Sequence, residues 1–159
     1  MRAWRALLIG TLVVGTLDFL DAVVYFGLRN GSTPLRIGQS IAAGWLGRAA
    51  FRGGVPASLL GVATHFFIAF GIVLTYLLAS RRIDALTRYP WLCGALYGIA
   101  VYVFMNRVVI PLSAIGPQPF QPGPLANGIF IHVLGVGVPS ALAAAAARRQ
   151  LLRPAVPSL

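Results

Sequence analysis

The sequence has no lysine, no glutamate, one cysteine and three acidic residues in 159 positions. Charged residues amount to 10% of the chain, whereas about a quarter of a soluble globular domain is charged, so a soluble domain is excluded. The single cysteine, Cys93, excludes an intramolecular disulfide, a CxxCH haem attachment and a thiolate metal cluster. A hydrophobic content of 58% and a mean hydropathy of +0.81 predict an integral membrane protein instead.

Catalytic signatures are also missing. The sequence contains neither HExxH nor GxSxG and no acidic cluster suited to a catalytic metal, so we expect a protein that is not an enzyme. The formal net charge of +10 and the pI of 11.5 do not indicate a nucleic-acid partner, because the arginines lie beside and between apolar stretches rather than in one patch. We therefore interpret them as membrane-edge anchors of a protein whose partner is the lipid bilayer.

Four apolar stretches are long enough to cross a bilayer, which requires roughly 20 helical residues. They cover residues 6–28, 55–79, 91–110 and 125–147. Pro90 and Pro111 bound the third stretch, and Pro56 lies in the first turn of the second. The sequence therefore predicts an all-α, polytopic membrane protein with a single four-helix transmembrane domain over residues 1–159.

The connection after the first span is predicted to form an interfacial amphipathic helix over residues 34–52. Thr33 can cap this helix with Pro34 at its first position, and Gly53 and Gly54 can end it. Its apolar face carries residues at helical spacing: Leu35, Ile41, Ala42, Trp45 and Ala49. A surface anchor and a lid or re-entrant gate over an outer cavity are both compatible with this pattern.

The connection over residues 111–124 contains five prolines and no charged residue. Proline lacks the N–H group that helix and sheet interiors require. We therefore expect a stiff, semi-extended outer loop between the third and fourth spans, acting as a cap or as a spacer.

The arginines orient the four spans. With a cytoplasmic N-terminus, eight arginines lie inside: Arg2, Arg5, Arg81, Arg82, Arg88, Arg148, Arg149 and Arg153. Five lie outside or near the outer end: Arg29, Arg36, Arg48, Arg52 and Arg107. The positive-inside rule therefore predicts a multi-pass protein of the bacterial inner membrane with both termini in the cytoplasm. The N-terminal segment imitates a secretory signal, but its apolar region is too long for one, and we expect it to remain as the first helix.

Two of the three acidic residues, Asp18 and Asp21, lie inside the first span. A carboxylate in hydrocarbon is costly and normally faces a partner, a cavity or a water path. Counted from the assumed outer helix ends, every strongly polar side chain of the spans lies within roughly 14 Å of the outer surface. These residues are Asp18, Asp21, His65, Asn106, Arg107 and His132. We predict that they form one polar site in the outer half, in which Arg107 neutralises one aspartate and a histidine hydrogen-bonds the other.

Small residues mark the helix faces that pack together. Gly94 and Gly98 form a GxxxG pair on the third span, in one row with Tyr102 and Asn106. Similar stripes on the other spans carry the polar residues of the predicted site. The stripes predict close helix packing, either within one chain or between the copies of a homo-oligomer.

Three functional hypotheses remain open. The polar residues can handle a proton or a small solute, with a proton shared among Asp18, Asp21, His65 and His132. They can instead serve only as glue between helices in a structural or assembly subunit, which means that they form interhelical hydrogen bonds. Each such bond stabilises the fold by about 0.6 kcal/mol. His65 and His132 can also be the axial ligands of a b-type haem, although we expect no cofactor. The same acidic and imidazole groups are acceptable metal ligands, but their spacing defines no metal site.

Several features occur in a recognisable order from Thr64 onward. They are Thr64-His65-Phe66, Ala79 to Arg82, Leu92 with Gly94, Val109 to Leu112, the proline-rich loop, His132 and Arg148-Arg149. In this order the C-terminal two thirds of the chain resembles the YagU-like family of small bacterial inner-membrane proteins. The resemblance implies an inner-membrane location and leaves the biochemical role undefined. The chain departs from the family after the first helix, where an arginine-rich stretch covers residues 35–52.

Overall fold

The computed structural model describes residues 2–119 and 121–151, and the regular structure in these residues is entirely helical. The helices are α1 (Ala3–Asn30), α2 (Pro34–Leu46), α3 (Gly54–Ser80), α4 (Ala85–Arg88), α5 (Pro90–Leu112) and α6, which begins at Pro122 and ends with Val138–Leu151. A 3₁₀ segment, Gly47–Arg52, joins α2 to α3. Two π-helical segments interrupt the long helices, Met105–Val109 in α5 and His132–Gly137 in α6.

Four of these helices, α1, α3, α5 and α6, are long and apolar enough to cross a membrane. This confirms the predicted all-helical fold with four candidate spans. The ends of α1 and α3 lie within three residues of the predicted bounds, whereas α5 continues to Leu112 and α6 begins at Pro122. The predicted loop over residues 111–124 was therefore too long. Pro122 and Pro124 lie in the first turn of α6. The N–H groups of a first turn have no acceptor within the helix, so proline costs no hydrogen bond there.

Both π-helical segments end two residues before a proline, Pro111 in α5 and Pro139 in α6. A proline inside a helix has no N–H for the carbonyl four residues earlier, and its ring clashes with that carbonyl. A π-helical turn takes up one extra residue and is a common way to accommodate such a site. This is why α5 passes through Pro111 instead of ending before it.

The third and fourth long helices pack through glycine. A Cβ atom on Gly98 would meet the carbonyl of His132, and a Cβ atom on Gly137 would meet the carbonyl oxygen of Gly94. The backbones of α5 and α6 therefore touch at these positions, and the glycine stripe of α5 is used within one chain. The main core is completed by buried residues of α1, α3 and α6, among them Val14, Val73, Tyr76 and Ala144.

The helix α2 packs along the N-terminal half of α3 and is parallel to it, because later residues of α2 contact later residues of α3. Gly38 lies against Ser58, while a Cβ atom on Gly61 would meet the Gly38 carbonyl. Further along, the indole N–H of Trp45 donates to Thr64 Oγ1 at 3.0 Å. The helix α2 therefore runs parallel to the N-terminal half of α3.

The N-terminus of α2 is the predicted one, but the α-helix ends at Leu46, and the rest of the predicted helix is the 3₁₀ segment Gly47–Arg52. Thr33 Oγ1 accepts a hydrogen bond from the Arg36 N–H at 3.3 Å, with Pro34 in the first turn. The face buried against α3 carries small or polar residues, Gly38, Gln39, Ala42 and Ala43 beside Ile37, whereas Leu35 and Trp45 are exposed. Small residues on both helices allow the close approach that the larger apolar residues would prevent.

Arginines lie at both ends of the bundle. At the end that carries the N-terminus of α1 and the C-terminus of α6, Arg148 pairs with Asp84 at 2.8 Å and donates to Thr87 Oγ1 at 2.9 Å. At the opposite end, Arg29 donates to Gln121 Oε1 at 3.3 Å. Arg153, which the predicted orientation places at the first end, lies outside the described residues.

Candidate functional site

A cavity of about 750 Å³ lies between α3 and α5 in the half of the bundle nearer to α2. Both α3 and α5 pack on α6, and the space left between them forms the cavity. Its back wall contains Asp18 of α1 and His132 of α6, while α2 and residues 113–115 cover it. Toward the chain termini, the Tyr97 hydroxyl donates to the Ile72 carbonyl at 2.8 Å and bridges α5 to α3. The wall is mostly apolar, and this size is typical of small-molecule sites.

Three of the predicted site residues meet at the back of the cavity. One carboxylate oxygen of Asp18 lies 4.0 Å from His65 Nδ1, and the other lies 3.8 Å from His132 Nδ1. All three side chains are about three-quarters or more buried. Both distances exceed hydrogen-bond length. Among the described residues, no donor hydrogen-bonds the Asp18 carboxylate, so an acidic group lies beside the cavity with its acceptor capacity unused.

Backbone carbonyls set the hydrogen positions on both imidazole rings. His65 Nε2 lies 2.8 Å from the Gly15 carbonyl oxygen, and His132 Nδ1 lies 2.9 Å from that of Gly128. A carbonyl oxygen only accepts, so each of these nitrogens carries the hydrogen. In the neutral rings, His65 Nδ1 is therefore an acceptor that faces a second acceptor, Asp18. A donor placed between these two acceptors, or a proton on His65 Nδ1, would join them.

Aromatic rings hold the two histidines in place. Phe19 and Phe66 pack on His65 with ring centroids 5.6 Å away, and Tyr102 packs edge-on against His132 at 5.3 Å. Glycines provide the room for these rings, since a Cβ atom on Gly15 would overlap the Phe66 ring. A Cβ atom on Gly128 would likewise overlap the Tyr102 ring. The small residues of the stripes thus position the site as well as pack the helices.

Asp21 belongs to a separate polar contact. Asn127 of α6 donates from Nδ2 to Asp21 Oδ2 at 2.7 Å. Neither residue is among those that line the cavity. The predicted site did not include Asn127. Its position at the outer end of the fourth predicted span was the feature of the sequence that could have identified it. Asp21 is therefore satisfied by an interhelical hydrogen bond, and Asp18 is not.

We expect Asn127→Ala to destabilise the protein by about 1 kcal/mol, because interhelical hydrogen bonds in membranes average about 0.6 and reach about 1.7 kcal/mol. Unfolding of the purified protein in mixed micelles, followed by circular dichroism, measures the change. Asn106→Ala is the matched control, since Asn106 is exposed and donates only to the Tyr102 carbonyl of its own helix. Equal effects of the two substitutions would remove the structural role assigned to Asn127.

Asn106 and Arg107 do not join the site. Both lie in the π-helical segment of α5 and are exposed, and no ion pair within the described residues includes Arg107. The prediction that Arg107 neutralises an aspartate was therefore wrong. Both residues lie inside the π-helical turn, where the regular α-helical spacing that placed Asn106 in one row with Gly94 and Tyr102 does not hold. Met105 and Val109 line the cavity instead.

In residues 2–119 and 121–151, no group of three or more His, Cys, Asp or Glu side chains is arranged to hold a metal ion. No protein-family model, curated protein or solved structure matches the chain. The resemblance to the YagU-like family therefore stays a prediction.

Proposed function

We propose that the protein is a multi-pass protein of the bacterial inner membrane with both termini in the cytoplasm. The four long apolar helices support membrane insertion. The positive-inside rule supports the orientation, because Arg2, Arg81, Arg82 and Arg148 lie at the ends of helices that share one end of the bundle. In this orientation the cavity lies in the periplasmic half.

Within this setting, the protein binds a small and largely apolar solute in the cavity, and Asp18, His65 and His132 contact the polar group of the solute. The observation that carries the proposal is the Asp18 carboxylate between two imidazoles, without a hydrogen-bond donor among the described residues, on the wall of an apolar cavity. Ionisable residues at membrane depth commonly mark solute or proton pathways. No step of covalent chemistry is needed, in keeping with the absence of a catalytic motif in the sequence.

Solute binding from one side is favoured over conduction of protons across the membrane. In the half nearer to the termini, the Thr75 hydroxyl donates to the Gly71 carbonyl and the Ser80 hydroxyl to the Leu77 carbonyl. These two hydroxyls bond within their own helix, and Thr11 Oγ1 of α1 is buried without a hydrogen-bond partner among the described residues. Val73 and Tyr76 are fully buried below the cavity. One isolated hydroxyl does not form a continuous polar path, which supports access of the solute from the cavity side.

The other hypotheses receive less support from this geometry. Hydrogen bonds between helices account for part of the predicted site, since His65 Nε2 donates to the Gly15 carbonyl of α1 and Asn127 donates to Asp21. They do not account for Asp18, whose distances to the two histidines are too long for hydrogen bonds. Axial haem ligation requires the iron between two imidazoles, where the Asp18 carboxylate lies instead. A homo-oligomer would need contacts other than Gly94 and Gly98, which are buried against α6.

Trp45 lines the cavity and supplies a fluorescent reporter. The chain has three tryptophans, all of them exposed, and Trp4 and Trp91 do not line the cavity, so Trp4→Phe/Trp91→Phe leaves Trp45 as the reporter. In lipid nanodiscs, we expect 1-nonanol or nonylamine to change Trp45 fluorescence in a saturable way.

Gly44→Leu is the matched control. Gly44 lines the cavity, and a Cβ atom there would make only an ordinary contact with Ser113 at 3.8 Å, so the fold should tolerate the change. The leucine side chain should reduce the cavity and abolish the saturable signal. A linear signal that is identical in Gly44→Leu would mean simple partition of the probe into lipid and would overturn the proposed function.

A further inference from the structure

The cavity wall carries charge of one sign only. The chain has a formal net charge of +10, yet among the residues that the structure describes no arginine lines the cavity. Apart from the two histidines, Asp18 is the sole ionisable residue in the described part of the wall. In a low-dielectric environment an isolated carboxylate attracts a cation far more strongly than it does in water. The site therefore disfavours anions and favours a positively charged group.

The polar atoms at the back of the cavity are acceptors. The two Asp18 oxygens have no hydrogen-bond donor among the described residues, and in the neutral ring His65 Nδ1 is an acceptor, since His65 Nε2 donates to Gly15. His132 Nδ1 likewise uses its hydrogen on the Gly128 carbonyl. An ammonium group has three N–H donors and no acceptor. Its hydrogen-bonding pattern matches this group of acceptors, whereas an alcohol offers one donor.

The rest of the cavity suits a hydrocarbon chain. From Asp18 the wall continues along Ile68 and Ile72 of α3 and Val108 and Leu112 of α5. These residues lie on the two helices between which the cavity opens. Burying an aliphatic chain against them contributes about 0.8 kcal/mol for each CH₂ group in water, and less when the chain comes from lipid. A ligand with a cationic head and an apolar tail therefore fits both parts of the site.

We propose that the cavity binds an aliphatic amine in its ammonium form, with the nitrogen between Asp18 and His65 and the chain between α3 and α5. This inference rests on the proposed function, since it names the class of solute that the cavity takes. The ammonium supplies the donor that the Asp18 and His65 acceptors lack. A ligand with a carboxylate head meets the Asp18 charge and is excluded.

Four nonyl probes that differ only in the head group test the inference. We compare nonylamine, nonyltrimethylammonium, 1-nonanol and nonanoate by Trp45 fluorescence in nanodiscs of zwitterionic lipid. Hydrogen bonds to a charged group are worth roughly 1.5–3 kcal/mol against 0.5–1.5 for neutral ones, so nonylamine should bind about tenfold more tightly than 1-nonanol. Nonyltrimethylammonium, a cation without N–H groups, should bind between the two, and nonanoate should give no saturable signal.

The outcomes separate this inference from the proposed function. Saturable binding of 1-nonanol with an affinity equal to that of nonylamine overturns the amine assignment but leaves solute binding intact. Equal affinities of nonylamine and nonyltrimethylammonium overturn the hydrogen-bonded arrangement. No saturable binding of any probe overturns both. Competition between nonylamine and nonyltrimethylammonium for one Trp45 signal, lost in Gly44→Leu, would place the ammonium ligand in this cavity.

Discussion

Asp18→Asn is expected to weaken nonylamine binding roughly 10- to 100-fold, because it removes the charged acceptor of hydrogen bonds worth about 1.5–3 kcal/mol. The substitution keeps the size of the side chain. It also places an amide N–H₂ group near His65 Nδ1, where the structure has two facing acceptors. We therefore expect the stability of the protein to stay within about 1 kcal/mol of the wild-type value. Fluorescence titration and micelle unfolding measure the two effects separately.

Asp84→Asn is the matched control for this substitution. It removes the same charge, but Asp84 is 79% exposed at the opposite end of the bundle and pairs with Arg148. Its pair contributes little, since exposed ion pairs are worth about 0–1 kcal/mol. Nonylamine affinity should be unchanged in Asp84→Asn. Equal losses of affinity in the two variants would show that Asp18 acts only through net charge, and an unchanged affinity in Asp18→Asn would remove Asp18 from the site.

Gly98→Leu is expected to destabilise the protein by about 3 kcal/mol or more, at the upper end of the usual cost of overpacking. A Cβ atom at Gly98 would meet the carbonyl of His132 and the Cα atom of Val133, which are backbone atoms. Helical backbone atoms cannot move away from the added side chain as the end of a flexible side chain can. The helices α5 and α6 must therefore separate, and His132 must move away from Asp18. Micelle unfolding followed by circular dichroism should show the loss of stability.

Gly71→Leu is the control for the added side chain. Gly71 is exposed on α3, and nothing among the described residues lies within 4 Å of a Cβ atom placed there. Its stability should be unchanged or slightly higher, because glycine is a poor helix former. The interpretation of the α5–α6 contact would fail if Gly98→Leu were as stable as Gly71→Leu. If Gly98→Leu were that stable, it should also still bind nonylamine.

Much of the fold could be predicted because its signals are local. Runs of apolar residues define α1 and α3, and Thr33 with Pro34 defines the start of α2 through a hydrogen bond between near neighbours. The depth of polar residues in each span and their position on small-residue stripes also suggested that Asp18, His65 and His132 lie together. Asp18 and His65 lie in regular α-helix, and His132 is the first residue of its π-helical segment, so counting from the preceding glycines placed all three on the right faces.

The amino-acid sequence by itself determined the number of long apolar helices, their approximate bounds and the positions of the acidic and imidazole side chains along them. Only the tertiary structure decided that Asn106 and Arg107 face outward, that α2 packs through Gly38 rather than through Leu35, and that Asn127 satisfies Asp21. The physical reason is that helix length and depth depend on hydrophobicity and rise along one segment. The direction in which a side chain points depends on where a π-helical turn interrupts the α-helical spacing. The contacts between helices depend on how closely two backbones can approach, which only the packed helices define.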